Sequence, residues 1–99
     1  MMDKIIETPT IGKILYEEFM EPNGISAYKL AQSIKVPTSR IQDIIHGRRK
    51  ITPETSLLLA KFFGVSDKYF LNMQNDIEIR NIKKNIADVL DNIQAFIPA

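Results

Sequence analysis

Apolar side chains recur three and four residues apart along most of this chain, and each run is cut short by a proline, a glycine or a capping hydroxyl. That spacing gathers the apolar residues of a run on one face of a helix, whereas no segment alternates at period two as a half-buried strand would. Short amphipathic helices joined by tight turns can bury their stripes only against one another, so the chain is expected to be all-α. Its 99 residues fit a single domain.

The punctuation places the helices. Residues 1–9 form an arm ending at Pro9, and Thr10 caps a first helix carrying Ile11, Ile14, Leu15 and Phe19, with acidic residues at its far end. Pro22, Asn23 and Gly24 stop it. Ser26 caps a second helix with Tyr28, Leu30, Ala31 and Ile34. A third runs from about Pro37 or Thr38 to Ile45 with Ile41, Ile44 and Ile45 as its stripe, and Gly47 ends it in left-handed conformation. Thr52-Pro53 opens a fourth helix, apolar over a wide arc through Leu57, Leu58, Ala60, Phe62 and Phe63, and therefore expected to be the most buried. Gly64 closes it. Ser66 is expected to cap a short fifth helix with Tyr69, Phe70, Leu71 and Met73, and a last helix is expected from about Asp76 to Gln94. The expected organisation is an arm over 1–9, a bundle of five short helices over 10–75, and a C-terminal helix within 76–99.

Composition removes several functions. There is no cysteine and only one histidine, His46, so disulfide scaffolds, thiolate zinc sites and multi-histidine metal sites drop out. No apolar run reaches the roughly 20 residues of a membrane span, and the first residues lack the apolar core of a secretory signal, so a cytoplasmic protein is expected. Glu17 and Glu18 form an acidic pair, but no nucleophile, base and orienting group converge, so neither enzyme chemistry nor a small-molecule substrate is indicated. Nothing calls for a cofactor. Net charge is only +1, yet residues 1–24 sum to −3 and residues 35–50 to +4. The positive charge is concentrated in one short stretch.

That stretch adjoins two short helices joined by a tight turn, the helix-turn-helix arrangement. Its physical demands can be checked. The first helix needs a small residue where the second crosses it, and Ala31 supplies one. Apolar residues must lock the pair, and Val36, Ile41 and Ile44 are spaced to do so. The second helix must turn a polar face outward; Thr38, Ser39, Arg40, Gln42, Asp43 and His46 can all form hydrogen bonds.

Residues 25–63, ISAYKLAQSIKVPTSRIQDIIHGRRKITPETSLLLAKFF, resemble the lambda-repressor-like, XRE-type helix-turn-helix. The similarity is closer to antitoxins of the HigA/VapI type, with an opening GKILYEEFMEPNGIS, a recognition segment VPTSRIQDIIHGRRKIT and a close LAKFFGVSDKYFLNMQ in order over residues 12–74. The resemblance implies a lambda-repressor-like bundle, a partner toxin of the HigB type (a small ribosome-associated RNase of RelE-like fold), a homodimer, and repression of the chain's own operon through double-stranded operator DNA of two-fold symmetry. Two positions depart from the pattern. Lys35 stands where the turn usually has Gly, and Ala27 where repressors often carry a Gln that braces a phosphate contact, a task that passes to Tyr28 or Lys29.

In this arrangement the start of the recognition helix enters the major groove, which assigns base reading to Ser39, Arg40, Gln42 and Asp43. Arg40 is the leading reader, because a guanidinium can take guanine O6 and N7 together for about 1–3 kcal/mol of discrimination. Gln42 faces about 200° from it, so only one of the two is expected to reach the bases, and Asp43, three residues on, is placed to hold the Arg40 guanidinium. Ser26, Tyr28, Lys29, Thr38, Arg48, Arg49 and Lys50 are expected on phosphates, positioning the protein without reading sequence. His46, with no carboxylate or cysteine at ligand spacing, is a groove-edge or surface side chain.

Ile79, Ile82, Ile86, Val89, Ile93 and Phe96 follow a 3-4 spacing with mostly polar residues between, an a/d seam. It serves either to pack the last helix on its own domain or as a dimer or partner seam. Three functions remain in view: an antitoxin that also represses its operon, a stand-alone XRE-type repressor without a toxin, and a protein-interaction adaptor that does not bind DNA.

Overall fold

The computed structural model describes residues 9–99, all helix and connecting turns, so the arm expected over residues 1–9 lies, but for Pro9, outside the described residues. Helix α1 (Ile11–Ile14) starts at Thr10, whose hydroxyl accepts from the Lys13 amide at 3.1 Å. It continues as a π-helical segment (Leu15–Met20) and a 3-10 turn (Glu21–Asn23). The wider π turn brings residues five apart onto one face. Leu15 and Met20 are accordingly both fully buried. The Asn23 side chain donates to the Phe19 carbonyl at 2.8 Å, satisfying one acceptor at this helix end.

Helix α2 (Ala27–Ile34) is capped by Ser26, whose Oγ accepts from the Lys29 amide at 3.0 Å. Lys35 turns the chain toward α3 (Thr38–Ile45) with φ +64° and ψ +45°, the only non-glycine with positive φ among the described residues. Its side chain costs on the order of 1 kcal/mol in that conformation. The turn is held by the Val36 amide, which donates back to the Ala31 carbonyl at 3.0 Å. Gly47 follows α3 at φ +76°. Helix α4 (Pro53–Phe63) has Thr52 as cap, accepting from the Thr55 amide, with Pro53 in its first turn and Gly64 at its end.

The core gathers Leu15, Met20, Leu30, Ile41, Leu59 and Phe70, none with measurable exposure, and Ala31 and Ile44 at 1%. Each large apolar side chain buried this way contributes about 1.5–3 kcal/mol before chain entropy is charged against it. Phe19 stacks edge-on to Phe63 and Phe70, with ring centroids 5.2 and 5.1 Å apart, fastening the π segment to α4 and α5.

Four expectations are corrected. The fifth and last helices are one: α5 runs Tyr69–Asn85, with no break at Asp76, because Phe70, Gln74 and Ile77 form a single buried stripe through that position. Ser66 is not its side-chain cap but accepts from the Tyr69 amide through its backbone carbonyl. A real break falls at Ile86 (φ −118°), after which a short α6 (Ala87–Asp91) ends well before Gln94. Nor is the apolar arc of α4 buried throughout. Leu57 is 50% exposed while Thr55 and Ser56 are buried, because Ser56 Oγ donates to the Asp67 carbonyl at 2.8 Å and ties α4 to the loop before α5.

Gly12 lies where α1 crosses α3. A Cβ built there collides with the Ile44 carbonyl, a backbone atom that cannot swing aside. Gly12→Ala should therefore destabilise the fold by about 1–3 kcal/mol, as overpacking does. Urea unfolding should show the loss as a lower midpoint at unchanged slope. A wild-type midpoint would mean that α1 and α3 do not meet here.

Candidate nucleic-acid interface

Helix α3 presents two distinct faces. Ile41 and Ile44 point into the core and Ile45 is half-buried beside them. Ser39, Gln42 and His46 lie opposite, all exposed. Thr38 and Arg40 occupy the flanks and are half-buried. Pro37 precedes the helix without a side-chain acceptor; its carbonyl takes the Arg40 amide at 3.0 Å, and no side chain caps the Thr38 and Ser39 amides on the end where the helix dipole is positive. The His46 ring lies back on its own helix, Nδ1 donating to the Gln42 carbonyl at 2.8 Å, which leaves Nε2 outward.

The expected Arg40–Asp43 pair does not form. Asp43 Oδ1 instead accepts from Arg48 Nε at 3.1 Å and lies 3.0 Å from its Nη2. The reason is the left-handed turn at Gly47. It folds the chain back so that the Arg48 amide donates to the Asp43 carbonyl at 2.8 Å, placing the two side chains together. Arg40 has no carboxylate partner among the described residues, and its Nε is buried with no hydrogen bond. A surface pair such as Asp43–Arg48 is worth at most about 1 kcal/mol, so it aims Arg48 more than it stabilises the fold.

Of the expected phosphate contacts, Ser26, Tyr28, Lys29, Arg48, Arg49 and Lys50 are exposed. Ser26 uses its oxygen as a cap acceptor, leaving its hydroxyl proton available. Lys50 Nζ lies 3.0 Å from Glu78 Oε2 on α5. Arg49 and Lys29 have no ion pair among the described residues. The basic loop thus carries one cation aimed by α3, one by α5, and one free between them.

Sequence reasoning missed Gln74. It is buried on α5, where Oε1 accepts from the Ile51 amide at 2.8 Å and Nε2 donates to the Ile51 carbonyl at 2.9 Å. The signal available was a polar residue on the apolar stripe Phe70, Gln74, Ile77. Among the described residues no group of three or more His, Cys, Asp or Glu side chains could hold a metal, and no helix is long and apolar enough to cross a membrane.

This geometry, two short helices about a tight turn with the second helix polar side out, defines a helix-turn-helix protein. A family profile described as helix-turn-helix matches residues 17–70. Virulence-associated protein I of Dichelobacter nodosus is 41% identical over 76 residues, 75% of this chain and 70% of that protein. An addiction module antidote protein of the HigA family from Coxiella burnetii superposes with a TM-score of 0.81 at 33% identity, over 92% of this chain and 100% of that one. The Pseudomonas aeruginosa antitoxin HigA, solved with higBA promoter DNA, shares the fold at a TM-score of 0.79 and 23% identity, over 90% of this chain and 98% of that one. The chain belongs to the XRE-type helix-turn-helix family of DNA-binding regulators, in its HigA/VapI-type antitoxin branch.

Proposed function

We propose that the chain is the antitoxin of a type II toxin-antitoxin pair, that it neutralises a HigB/RelE-like mRNA-cleaving toxin, and that it represses its own operon as a homodimer bound to operator DNA. The observation that carries the DNA half is the outer face of α3, exposed and polar, flanked by Arg40, which has no ion pair among the described residues, and followed by Arg48, Arg49 and Lys50. Ser39, either Arg40 or Gln42, and Asp43 read bases. With Asp43 engaged by Arg48, the guanidinium of Arg40 is free for guanine. Ser26, Tyr28, Lys29, Thr38, Arg48, Arg49 and Lys50 grip phosphates, and each cationic contact among them adds about 0.9 to the salt slope.

The partner half rests on the C-terminal region. Every residue from Ile82 to Ala99 is exposed, and Ile79, Ile82, Val89, Ile93 and Phe96 are each more than half accessible. The helix does not pack this seam on its own domain, so it serves a second copy or the toxin. The bend at Ile86 and the end of α6 at Asp91 divide it into a helical part and an irregular tail, so it does not act as one straight coiled coil. With both half-sites occupied, a dimer places two α3 helices about 34 Å apart. The protein works in the cytoplasm, where operator and toxin both are.

The two halves separate in one variant. Arg40→Ala should bind operator DNA more weakly and with relaxed base preference, by about 1–3 kcal/mol at the contacted position. It should still relieve growth arrest by the toxin encoded beside it. A promoter reporter and a co-expression growth assay read the two effects. Unchanged repression by Arg40→Ala removes the base-reading role, and no relief of arrest by the unmodified protein favours a stand-alone repressor. Ile82→Asp with Val89→Asp should shift the sedimentation coefficient from dimer to monomer; an unshifted dimer places the contact elsewhere.

A further inference from the structure

The basic loop between α3 and α4 is fixed at two points. Near α3, Asp43 holds Arg48. At the far end the peptide of Ile51, 2% exposed, is gripped by the side-chain amide of Gln74, which mimics a peptide group and satisfies the amide and carbonyl together. One turn along the same face of α5, Glu78 meets Lys50 at 3.0 Å. Between the two fixed points Arg49 and Lys50 are exposed. A leucine of similar size could fill the space of Gln74 but would leave both Ile51 groups buried and unpaired. What the amide contributes is therefore the set of the loop rather than packing.

We propose that Gln74 is a positioning residue for DNA binding: its clamp on the Ile51 peptide holds the loop so that Arg48, Arg49 and Lys50 meet phosphates together, and it couples the helix bearing the C-terminal seam to that grip. The inference rests on the DNA-binding reading above. It goes beyond it in assigning the loop's phosphate contacts to a residue that touches no DNA. An ordered loop meets the duplex with its cations already in place, whereas a loose one must give up chain entropy on binding.

Gln74→Glu tests this with a chemical switch. A neutral carboxylic acid keeps both bonds, its O–H donating to the Ile51 carbonyl and its C=O accepting from the Ile51 amide. A carboxylate has no proton to donate and sets two oxygens against each other. Burial and nearby Glu78 favour the neutral acid, while Arg48, Arg49 and Lys50, which line the same groove, favour the charged form. Operator affinity is measured at pH 8 and pH 5 over a range of salt, each value as a ratio to the unmodified protein, so that pH effects common to both proteins cancel. At pH 8 the variant should bind on the order of tenfold more weakly. Its salt slope should be shallower by about 0.9 for each phosphate no longer held. At pH 5 both ratios should return toward one.

A variant that is merely less folded loses affinity at an unchanged slope, and that result overturns the proposal, as does a pH 5 ratio that fails to recover in folded protein. If the variant does not fold, exchange of the Ile51 amide in the unmodified protein decides. Slow exchange both free and on operator upholds the clamp; exchange as fast as an open loop in the free protein overturns it. An unmodified protein without operator preference refutes the DNA reading instead, and leaves the Ile51 exchange to judge the clamp on its own.

Discussion

Helix α3 can turn a polar face to a partner only because its back is taken. Gly12 lets α1 cross so close behind it that the Ile44 carbonyl occupies the space a side chain would need. That contact presses Ile41 and Ile44 into the core and fixes the rotation of α3, which in turn decides that Ser39, Gln42 and His46 face outward. Ala31 performs the same service from the other side, its small side chain letting α2 and α3 meet. The outward face of α3 thus depends on two small buried residues.

The basic loop depends on this framework at one remove. Gly47 folds the chain back after α3, so Arg48 meets Asp43, while on α5 Glu78 takes Lys50 and Gln74 takes the Ile51 peptide. Individually these exposed ion pairs add little stability. Their effect is on direction: the cations leave the domain on one short segment, beside the helix whose polar face is exposed. Helix α5 then continues past the domain with its apolar residues uncovered. One helix therefore braces the loop with its first half and carries exposed apolar residues on its second.

Much of this was legible in the residues, because local chemistry decides it. Thr10, Ser26 and Thr52 cap helices as hydroxyls should, and Gly47 and Gly64 end them in left-handed conformation. Ala31 at the crossing and the Val36, Ile41 and Ile44 lock were legible from helical spacing and the demands of the helix-turn-helix. What was hidden is non-local. Gln74 finds its partner 23 residues away. Asp43 chose Arg48 over Arg40 because of a turn whose geometry no i,i+3 rule contains. The π segment was illegible because its apolar residues fit an α-helical stripe nearly as well, and only packing of both Leu15 and Met20 selects the wider turn. The break expected at Asp76 failed because polar Asn75 and Asp76 can occupy the exposed side of one continuous helix.

The most direct test of the central claim, that the outer face of α3 and the adjacent basic loop grip and read a duplex, is a titration of the purified protein against its own upstream DNA and a scrambled duplex of equal length, at two salt concentrations. A large preference for the upstream DNA is expected, with an affinity that falls steeply with salt, about 0.9 in logarithmic slope for each phosphate neutralised by a lysine or arginine. Equal, weak binding to both duplexes would contradict it and move the working surface from α3 to the exposed apolar seam of the C-terminal helices.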